Sequence, residues 1–422
     1  MSEELLSGKS ARLQQYIEKL ATFIDQEKPG WTRRPFTKEY QHARKWLREQ
    51  MEELGLTTHV DASSNLIGRW EGKKPDLAPI VLGSHIDTVT GGGRFDGIAG
   101  VVGALEVVRV LQTSGKRLDH TLEVIDFTAE EPSEYGISTI GSRGLVNNLT
   151  TNMLERKGPD GETLSEGIRQ AGGLPEHISE EARQIGEVSI YLEMHIEQGP
   201  VLEQMDETVG IVTGIVGIHR YRVNVIGQPD HAGTTPMNKR CDALTAASEL
   251  NLALEAICQE EWEKGVVGTV GRLNVKPNAS NVIPGEINLD IDVRSLAIET
   301  LEGVMTKLKG KAAAISSSRG VDIKFDCLSQ STPIEVDDKI LTLIEKASQQ
   351  AVHTHRIPSG AGHDANQMAN ISPIAMFFIP SKDGKSHCPE EWTDYEDVAR
   401  GVDCMVQSLF QIDSSLSPSS VN

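Results

Sequence analysis

The sequence predicts an α/β protein with an at least partly parallel sheet and a separate α+β unit inserted into it. Three observations predict this. Short, wholly apolar runs alternate with helix-like stretches towards both ends of the chain, the pattern of buried strands joined by helices. Several of these runs stop at polar residues, such as His85, Glu130-Glu131 and His195, and chemistry in such sheets sits at the carboxyl ends of strands. Between about residues 214 and 329 the pattern changes, and residues 287 to 294 alternate apolar with polar, the mark of a half-exposed strand.

In chain order, residues 10 to 28 and 38 to 54 read as amphipathic helices with charged faces. Residues 80 to 85, Ile-Val-Leu-Gly-Ser-His, read as a buried strand ending in polar residues. The small and apolar stretch 97 to 111 reads as a buried helix. Residues 122 to 127 form the next strand, followed by Thr128-Ala129-Glu130-Glu131, and 190 to 195 and 374 to 379 give two more. In the middle, 221 to 226, 268 to 275 and 321 to 327 read as strands and 244 to 262 as an amphipathic helix. There Ile287, Leu289, Ile291 and Val293 alternate with Asn288, Asp290, Asp292 and Arg294. The serine-rich end, 414 to 422, reads as a frayed tail.

Composition narrows the function classes. Of 422 residues, 38% are hydrophobic and 24% charged, as in a folded globular protein and not a disordered one. The 61 acidic against 41 basic residues give a formal charge of −20, a surface that repels nucleic acid and anionic membranes at long range. No apolar run approaches bilayer length, and the N-terminus lacks the basic and apolar regions of a signal peptide, so a cytoplasmic location is expected. The five cysteines, Cys241, Cys258, Cys327, Cys388 and Cys404, are dispersed and never in a C-x-x-C pair, which argues against a disulfide scaffold and a thiolate zinc knuckle.

The chemistry concentrates in histidines and carboxylates at or near strand ends: His85, Asp96, Glu131, His195 and His387. Asp87 follows His85 by two residues, where a carboxylate can orient an imidazole. Asp96 is delivered by Gly91-Gly92-Gly93-Arg94-Phe95-Asp96-Gly97, just before the buried helix; no Gly-Lys-Ser/Thr follows, so this is not a phosphate loop. Glu130 and Glu131 are adjacent carboxylates at the end of a buried strand, where like charge and desolvation both cost energy and a cation relieves both. An exposed acidic turn is the competing reading. Histidine and carboxylate donors without thiolates suit Zn²⁺, Mn²⁺ or Co²⁺. Five ligands with one shared carboxylate fit two ions roughly 3.5–4 Å apart, a device for hydrolysing an amide-like bond without a covalent intermediate.

Seven segments occur in a telling order: Gly83-Ser84-His85-Ile86-Asp87-Thr88-Val89, the glycine-rich loop, Glu130-Glu131, Glu193-Met194-His195-Ile196-Glu197-Gln198-Gly199, Asp230-His231-Ala232-Gly233-Thr234-Thr235-Pro236-Met237, Ser359-Gly360-Ala361-Gly362-His363-Asp364 and Ser386-His387-Cys388-Pro389-Glu390. With them the chain resembles the hydantoinase/carbamoylase branch of the dinuclear aminoacylase and carboxypeptidase-like metallohydrolases, from about residue 10 to about residue 412. That branch contains N-carbamoyl-L-amino acid hydrolases, β-ureidopropionases and allantoate amidohydrolases. In its peptidase relatives the ligand matching His195 is acidic.

The resemblance implies a mixed-sheet catalytic domain over 1–213 and 330–422, with 214–329 as an inserted lid and dimerisation domain. It implies two divalent metal ions (Zn, Mn or Co) bridged by Asp96, with His85 and His195 on one and Glu131 and His387 on the other. Glu130 becomes the general base and Asp87 the residue that orients His85. His231 stabilises the oxyanion, from the same or the neighbouring subunit. Asn281 and Arg294 hold the substrate carboxylate, and Gln198, Gly362 and His363 line the pocket. The implied reaction is hydrolysis of the carbamoyl (ureido) group of an N-carbamoyl-L-amino acid to the L-amino acid, ammonia and carbon dioxide, in a homodimer. Neither nucleic acid nor membrane is an expected partner.

Simpler readings stand beside these. Arg294 can pair with Asp292, His231 can cap its own turn, Asn281 can be a turn residue between Pro277 and Pro284, and His363 can be structural. Many relatives follow the paired glutamates with Gly-Ser-Arg-Phe, where this chain has Pro132-Ser133-Glu134-Tyr135; His219-Arg220 keeps half of a basic pair frequent in allantoate amidohydrolases. Allantoate amidohydrolase is therefore the alternative activity, an aminoacylase or dipeptidase is disfavoured by His195, and a metal-binding but inactive relative is disfavoured by the intact Glu130.

Overall fold

The computed structural model describes residues 7–349 and 351–416. They divide into two compact units: residues up to 213, 336–357 and from 362 onward form the first, and 214–335 with 358–361 the second. In chain order the first unit carries β1 (Thr57–Val60), β2 (Leu66–Trp70), β3 (Ile80–His85), β4 (Leu122–Phe127), β5 (Ile190–Ile196) and β6 (Val209–Ile215), the last ending at the unit boundary. Then come β7 (Gly217–Ile226), β8 (Asp230–His231), β9 (Val267–Lys276), β10 (Val282–Ile283), β11 (Glu286–Ser295), β12 (Asp322–Gln330) and β13 (Ile334–Glu335) of the second unit. The chain returns through β14 (Thr354–Ser359) and β15 (Ile374–Ile379).

The sheet of the first unit runs β1-β2-β4-β3-β5-β15-β6. Strands β4, β3, β5 and β15 are mutually parallel, whereas β2 and β6 run antiparallel to their neighbours, so the sheet is mixed. Every residue of the four parallel strands is buried, which is why they read as largely apolar runs, broken only by Glu123 and Asp126 in β4, Glu193 in β5 and the polar residues at strand ends. Parallel pairing brings their carboxyl ends to one edge: His85 stands opposite Phe127, and His195 opposite Phe378.

The helix Ile98–Thr113 packs on β3, β4 and β5 and is covered by the helices Ser10–Leu20 and Tyr395–Leu416. Covered on both sides, it has no polar stripe, and thirteen of its sixteen residues are buried. The helix expected over 10 to 28 stops at Leu20. Buried Arg33 explains the stop: its Nη1 donates to the carbonyls of Leu20 (2.7 Å) and Phe23 (3.2 Å), satisfying acceptors a longer helix would use internally. The next helix, Lys38–Glu53, begins at Thr37, whose Oγ1 accepts from the N–H of Tyr40. Several short helices lay outside the sequence expectations, and so did three longer ones: Ile298–Arg319, Asp338–Ser348 and Tyr395–Leu416. The last includes Ser414 to Leu416, where a frayed tail was expected; the rest of that tail, residues 417–422, lies outside the described residues.

The second unit is an antiparallel sheet, β12-β7-β11-β9, with the helices Ala243–Glu260 and Ile298–Arg319 on one face. Val223, Val225, Leu289 and Ile291 meet Leu250, Leu254, Leu301 and Leu308 in its core. The alternate residues, including Arg220, Arg222, Asp290, Asp292 and Arg294, form the other face, as the period of two requires. The unit extends past residue 329, because Ser331 donates to the carbonyl of Ile218 (3.0 Å) and β13 pairs with Gly214 and Ile215. Pro358–Ala361 joins it too, with Val216 donating to the carbonyl of Ser359 (3.0 Å). All five cysteines are free thiols. Among the described residues no helix is long and apolar enough to cross a membrane.

Candidate metal centre and active site

At the carboxyl edge of the parallel strands, five side chains converge in two sets of three. His85, Asp96 and His195 form one, and Asp96, Glu131 and His387 the other; within each set the donor atoms lie within 4.8 Å of one another. Asp96 belongs to both through different oxygens. Its Oδ1 lies 3.0 Å from His195 Nε2 and 3.7 Å from His85 Nε2, and its Oδ2 lies 3.0 Å from His387 Nε2. Glu131 Oε1 completes the second set, 3.1 Å from His387 Nε2.

The histidines are oriented by backbone. His85 Nδ1 faces the carbonyl of Asp87 (3.0 Å), and His195 Nδ1 the carbonyl of Ile196 (2.8 Å). A proton on each Nδ1 satisfies these carbonyls and leaves both Nε2 lone pairs aimed at the centre. The N–H of Gly97 donates to His195 Nε2 (3.2 Å), in keeping with that tautomer. Gly97 also clears the space for His85: with φ of +68°, an added Cβ would lie 2.4 Å from the imidazole.

Asp87 acts differently from the sequence expectation. The His85 ring is held by the Asp87 carbonyl, while the Asp87 carboxylate is 3.7 Å away. That carboxylate instead accepts the backbone N–H groups of Glu130 (Oδ1, 3.1 Å) and Glu131 (Oδ2, 3.1 Å). It holds the turn that presents both glutamates. The turn begins at Ala129 with φ of +54°; Gln198 (+60°) and His387 (+56°) also hold the left-handed conformation. Such residues cost on the order of 1–3 kcal/mol each and gather at functional sites.

Buried carboxylates crowd this region, among them Asp87, Asp96, Glu130, Glu131, Glu193, Asp364 and Glu391. Burial, then the like charges of Asp364, Glu131, Asp87 and Asp96, pushes Glu130 well above the usual carboxylate range. Glu130 Oε2 lies 3.6 Å from His85 Nε2, against the first set. So much buried negative charge is stable only beside compensating positive charge. The donors fit divalent cations on this ground and by chemistry: imidazole Nε2 and carboxylate oxygen, with no thiolate.

The expected substrate residues sort as follows. The Gln198 Nε2 donates to Asp96 Oδ2 (2.8 Å), so it touches a candidate ligand and does not stand free in a pocket. The His363 ring is 2% exposed and packs edge-on against His195 at 4.6 Å; burial, then His195, holds it well below the ordinary imidazole range, so it is a neutral buttress. Gly362 precedes it, in the loop where the His363 N–H donates to Asn366 Oδ1 (2.8 Å).

His231, Asn281 and Arg294 belong to the second unit. His231 and Asn281 meet in the β8–β10 ribbon, where His231 stands opposite Val282 and the Asn281 carbonyl accepts from Ala232 (2.9 Å). His231 does cap its turn: Nδ1 accepts from Gly233 (3.0 Å) and Thr234 (3.2 Å). That places the proton on the exposed Nε2, so the cap fixes a donor tautomer. The fork of Arg294 is occupied: Nε and Nη2 reach Asp292 (2.8 and 3.3 Å), and Nη1 donates to the Gly360 carbonyl (2.8 Å). Arg220 holds the other side of Asp292 (2.7 Å).

Sequence reasoning missed Glu391, Ser386 and Arg34. Arg34 ties the departing turn, donating to the carbonyls of Thr88 and Pro132 and pairing with Glu134 (3.0 Å). Glu390-Glu391 offered no signal to prefer one acid, since only burial separates them: Glu391 is 2% exposed and Glu390 faces solvent.

This mixed sheet, with a histidine–carboxylate centre at its parallel edge, defines a hydrolase: the chain belongs to the peptidase family M20/M25/M40, whose model matches residues 81–411. Within it the chain lies on the amidohydrolase side. It is 38% identical over 403 residues to the N-carbamoyl-L-amino acid amidohydrolase of Geobacillus stearothermophilus, covering 95% of this chain and 98% of that one. It is 36% identical to a ureidoglycolate hydrolase of Arabidopsis thaliana (96% and 87%) and 31% identical to the allantoate amidohydrolase of Bacillus subtilis (98% and 100%). The crystal structure of a hydantoinase/carbamoylase family amidase from Burkholderia multivorans superposes with a TM-score of 0.88 at 31% identity, covering 96% of this chain and 98% of that one. The protein is an amidohydrolase of the carbamoylase/allantoate amidohydrolase family.

Proposed function

We propose that the protein hydrolyses the carbamoyl group of N-carbamoyl-L-amino acids, using two divalent cations (Zn²⁺, Mn²⁺ or Co²⁺) held by the two ligand sets. The observation that carries the two-cation reading is the division of Asp96, one oxygen towards each set. The substrate class rests on the relative that is 38% identical over nearly the whole chain. The cations supply Lewis-acid activation of water and of the ureido carbonyl.

The chain's residues do the rest. Glu130, beside the first set, takes a proton from the attacking water and returns it to the leaving nitrogen. Asp87 keeps Glu130 in place through the backbone. His231 offers Nε2–H to the developing oxyanion, and Asn281 and Arg294 receive the substrate carboxylate. For Arg294 this means sharing or exchanging its bond to Asp292. The C–N bond to the amino acid breaks, releasing the L-amino acid and carbamate, which decays to ammonia and carbon dioxide. A homodimer and a cytoplasmic location belong to the same proposal.

The same chemistry on allantoate or ureidoglycolate is the second reading, favoured by the relatives of those names. Ammonia release by Mn²⁺- or Co²⁺-loaded protein tests both, with and without chelator. N-carbamoyl-L-methionine, N-carbamoyl-β-alanine, allantoate, ureidoglycolate and N-acetyl-L-methionine form the panel. Chelator-sensitive ammonia and amino acid from a carbamoyl amino acid supports the proposal. Preference for allantoate or ureidoglycolate moves the activity there, and amino acid from the acetyl compound without ammonia refutes it.

A further inference from the structure

Resting on the two-cation reading, we propose that Glu391 is a positioning residue that holds the second ligand set, Asp96, Glu131 and His387, in binding geometry. Glu391 is not itself among the grouped donors. Its Oε1 accepts the backbone N–H groups of Phe95 (2.8 Å) and Asp96 (3.1 Å). Its Oε2 accepts the N–H of His387 (3.3 Å) and lies 3.1 Å from the hydroxyl of Ser386. That hydroxyl also lies 2.9 Å from Asp96 Oδ2 and can donate to either acid. One buried carboxylate thus joins two loops nearly three hundred residues apart, each delivering a ligand.

Neither loop is stiff by itself. Asp96 sits in a glycine-rich loop, and His387 is a left-handed residue whose side chain is 46% exposed. The glycines make room for the clamp: a Cβ at Gly93 would lie 2.2 Å from Glu391 Oε1. His387 serves only the second set, whereas His85 and His195 are anchored independently through Asp87 and Ile196. Asp96 belongs to both sets, so loss of the clamp weakens both cation steps, and the His387-dependent step more, because that set loses the hold on two of its three ligands. Groups that orient metal ligands typically account for about 10–100-fold in affinity.

The test is calorimetric titration of the chelated full-length protein with Zn²⁺ or Mn²⁺, for wild type, Glu391→Ala, Glu391→Gln and Gly93→Ala. His387→Ala identifies the step that belongs to the second set. Thermal melting of each cation-free protein runs alongside. We expect two steps in wild type. In Glu391→Ala and Gly93→Ala the His387-dependent step should weaken about 10–100-fold. The other step, which shares Asp96 but keeps His85 and His195 anchored, should weaken distinctly less. Glu391→Gln keeps one acceptor oxygen and should show the same selective loss, smaller in size; it carries the test if the alanine variant does not fold. Unchanged steps in the Glu391 variants, or equal weakening of both steps with a lower cation-free melting temperature, overturn the inference alone. A wild type that takes up fewer than two cations overturns the two-cation reading and the inference with it.

Discussion

At the residue scale, placement makes the roles separable. Glu130 lies beside the first ligand set but is not one of its members, so Glu130→Gln should retain cation while turnover falls about 10²–10⁴-fold. Metal analysis and ammonia release on one sample check both halves. Near-normal turnover would remove Glu130 as the base. Arg294→Lys should raise KM for carboxylate substrates about tenfold or more, since an ammonium cannot reproduce the fork, with kcat changed far less. An unchanged KM would mean that the bond to Asp292 is the whole role of Arg294. Protons and cations also compete here. Hydrogen bonds to Asp96 and Glu131 hold the His387 imidazole up to about 11. His387 therefore keeps its second proton at neutral pH in the cation-free protein and must release it on binding. Apparent cation affinity should therefore rise with pH, by up to about tenfold per unit for each proton released. Competition with a chelating dye between about pH 6 and pH 8 measures the slope; a flat profile would show that His387 is not a ligand.

At the element scale, the centre depends on strand ends meeting a helix start. Gly97 caps the helix Ile98–Thr113 in a left-handed conformation, with the His85 ring where a side chain would be. Gly97→Ala should destabilise the fold by at least about 1 kcal/mol from the backbone alone and weaken the first cation step by displacing His85. Denaturant melts and the calorimetric steps read the two effects separately. The long helix of the second unit was lost to sequence reasoning for a physical reason. The contrast between helix faces is weak in Ile298–Arg319, rich in lysine, alanine and serine, and this helix becomes definite only when Leu301, Val304 and Leu308 meet the sheet of the second unit. Conversely, β3, β4, β5 and β15 were legible because burial on both faces leaves no polar residue inside them until their ends, apart from those the site or its supports use.

At the scale of the whole molecule, the chain is two units with separate cores, and the second exposes apolar surface. Strand β9 is the edge of its sheet and leaves Val267 and Leu273 exposed, while Leu252 and Trp262 are exposed on the neighbouring helical segment. An unprotected apolar edge strand is a natural site of pairing. Sedimentation of the loaded protein at micromolar concentration should accordingly give a species of twice the 46.0 kDa chain mass, and Val267→Lys with Leu273→Lys should shift it to the monomer. A monomeric wild type would remove the homodimer from the proposed function.

The sequence by itself determined the α/β class, the parallel strands, the five donor residues and their order, because burial and ligand chemistry constrain residue type position by position. Glu130-Glu131 and the glycine-rich loop were visible as local costs that only a site repays. Tertiary structure decided what depends on distance between remote residues: that Asp96 divides between two sets, that the Asp87 carboxylate grips the Glu130–Glu131 backbone and not His85, and that Glu391 joins two ligand loops. None of these follows from spacing, since a carboxylate takes whichever donors folding brings within about 3 Å, and the chain's order does not contain that information.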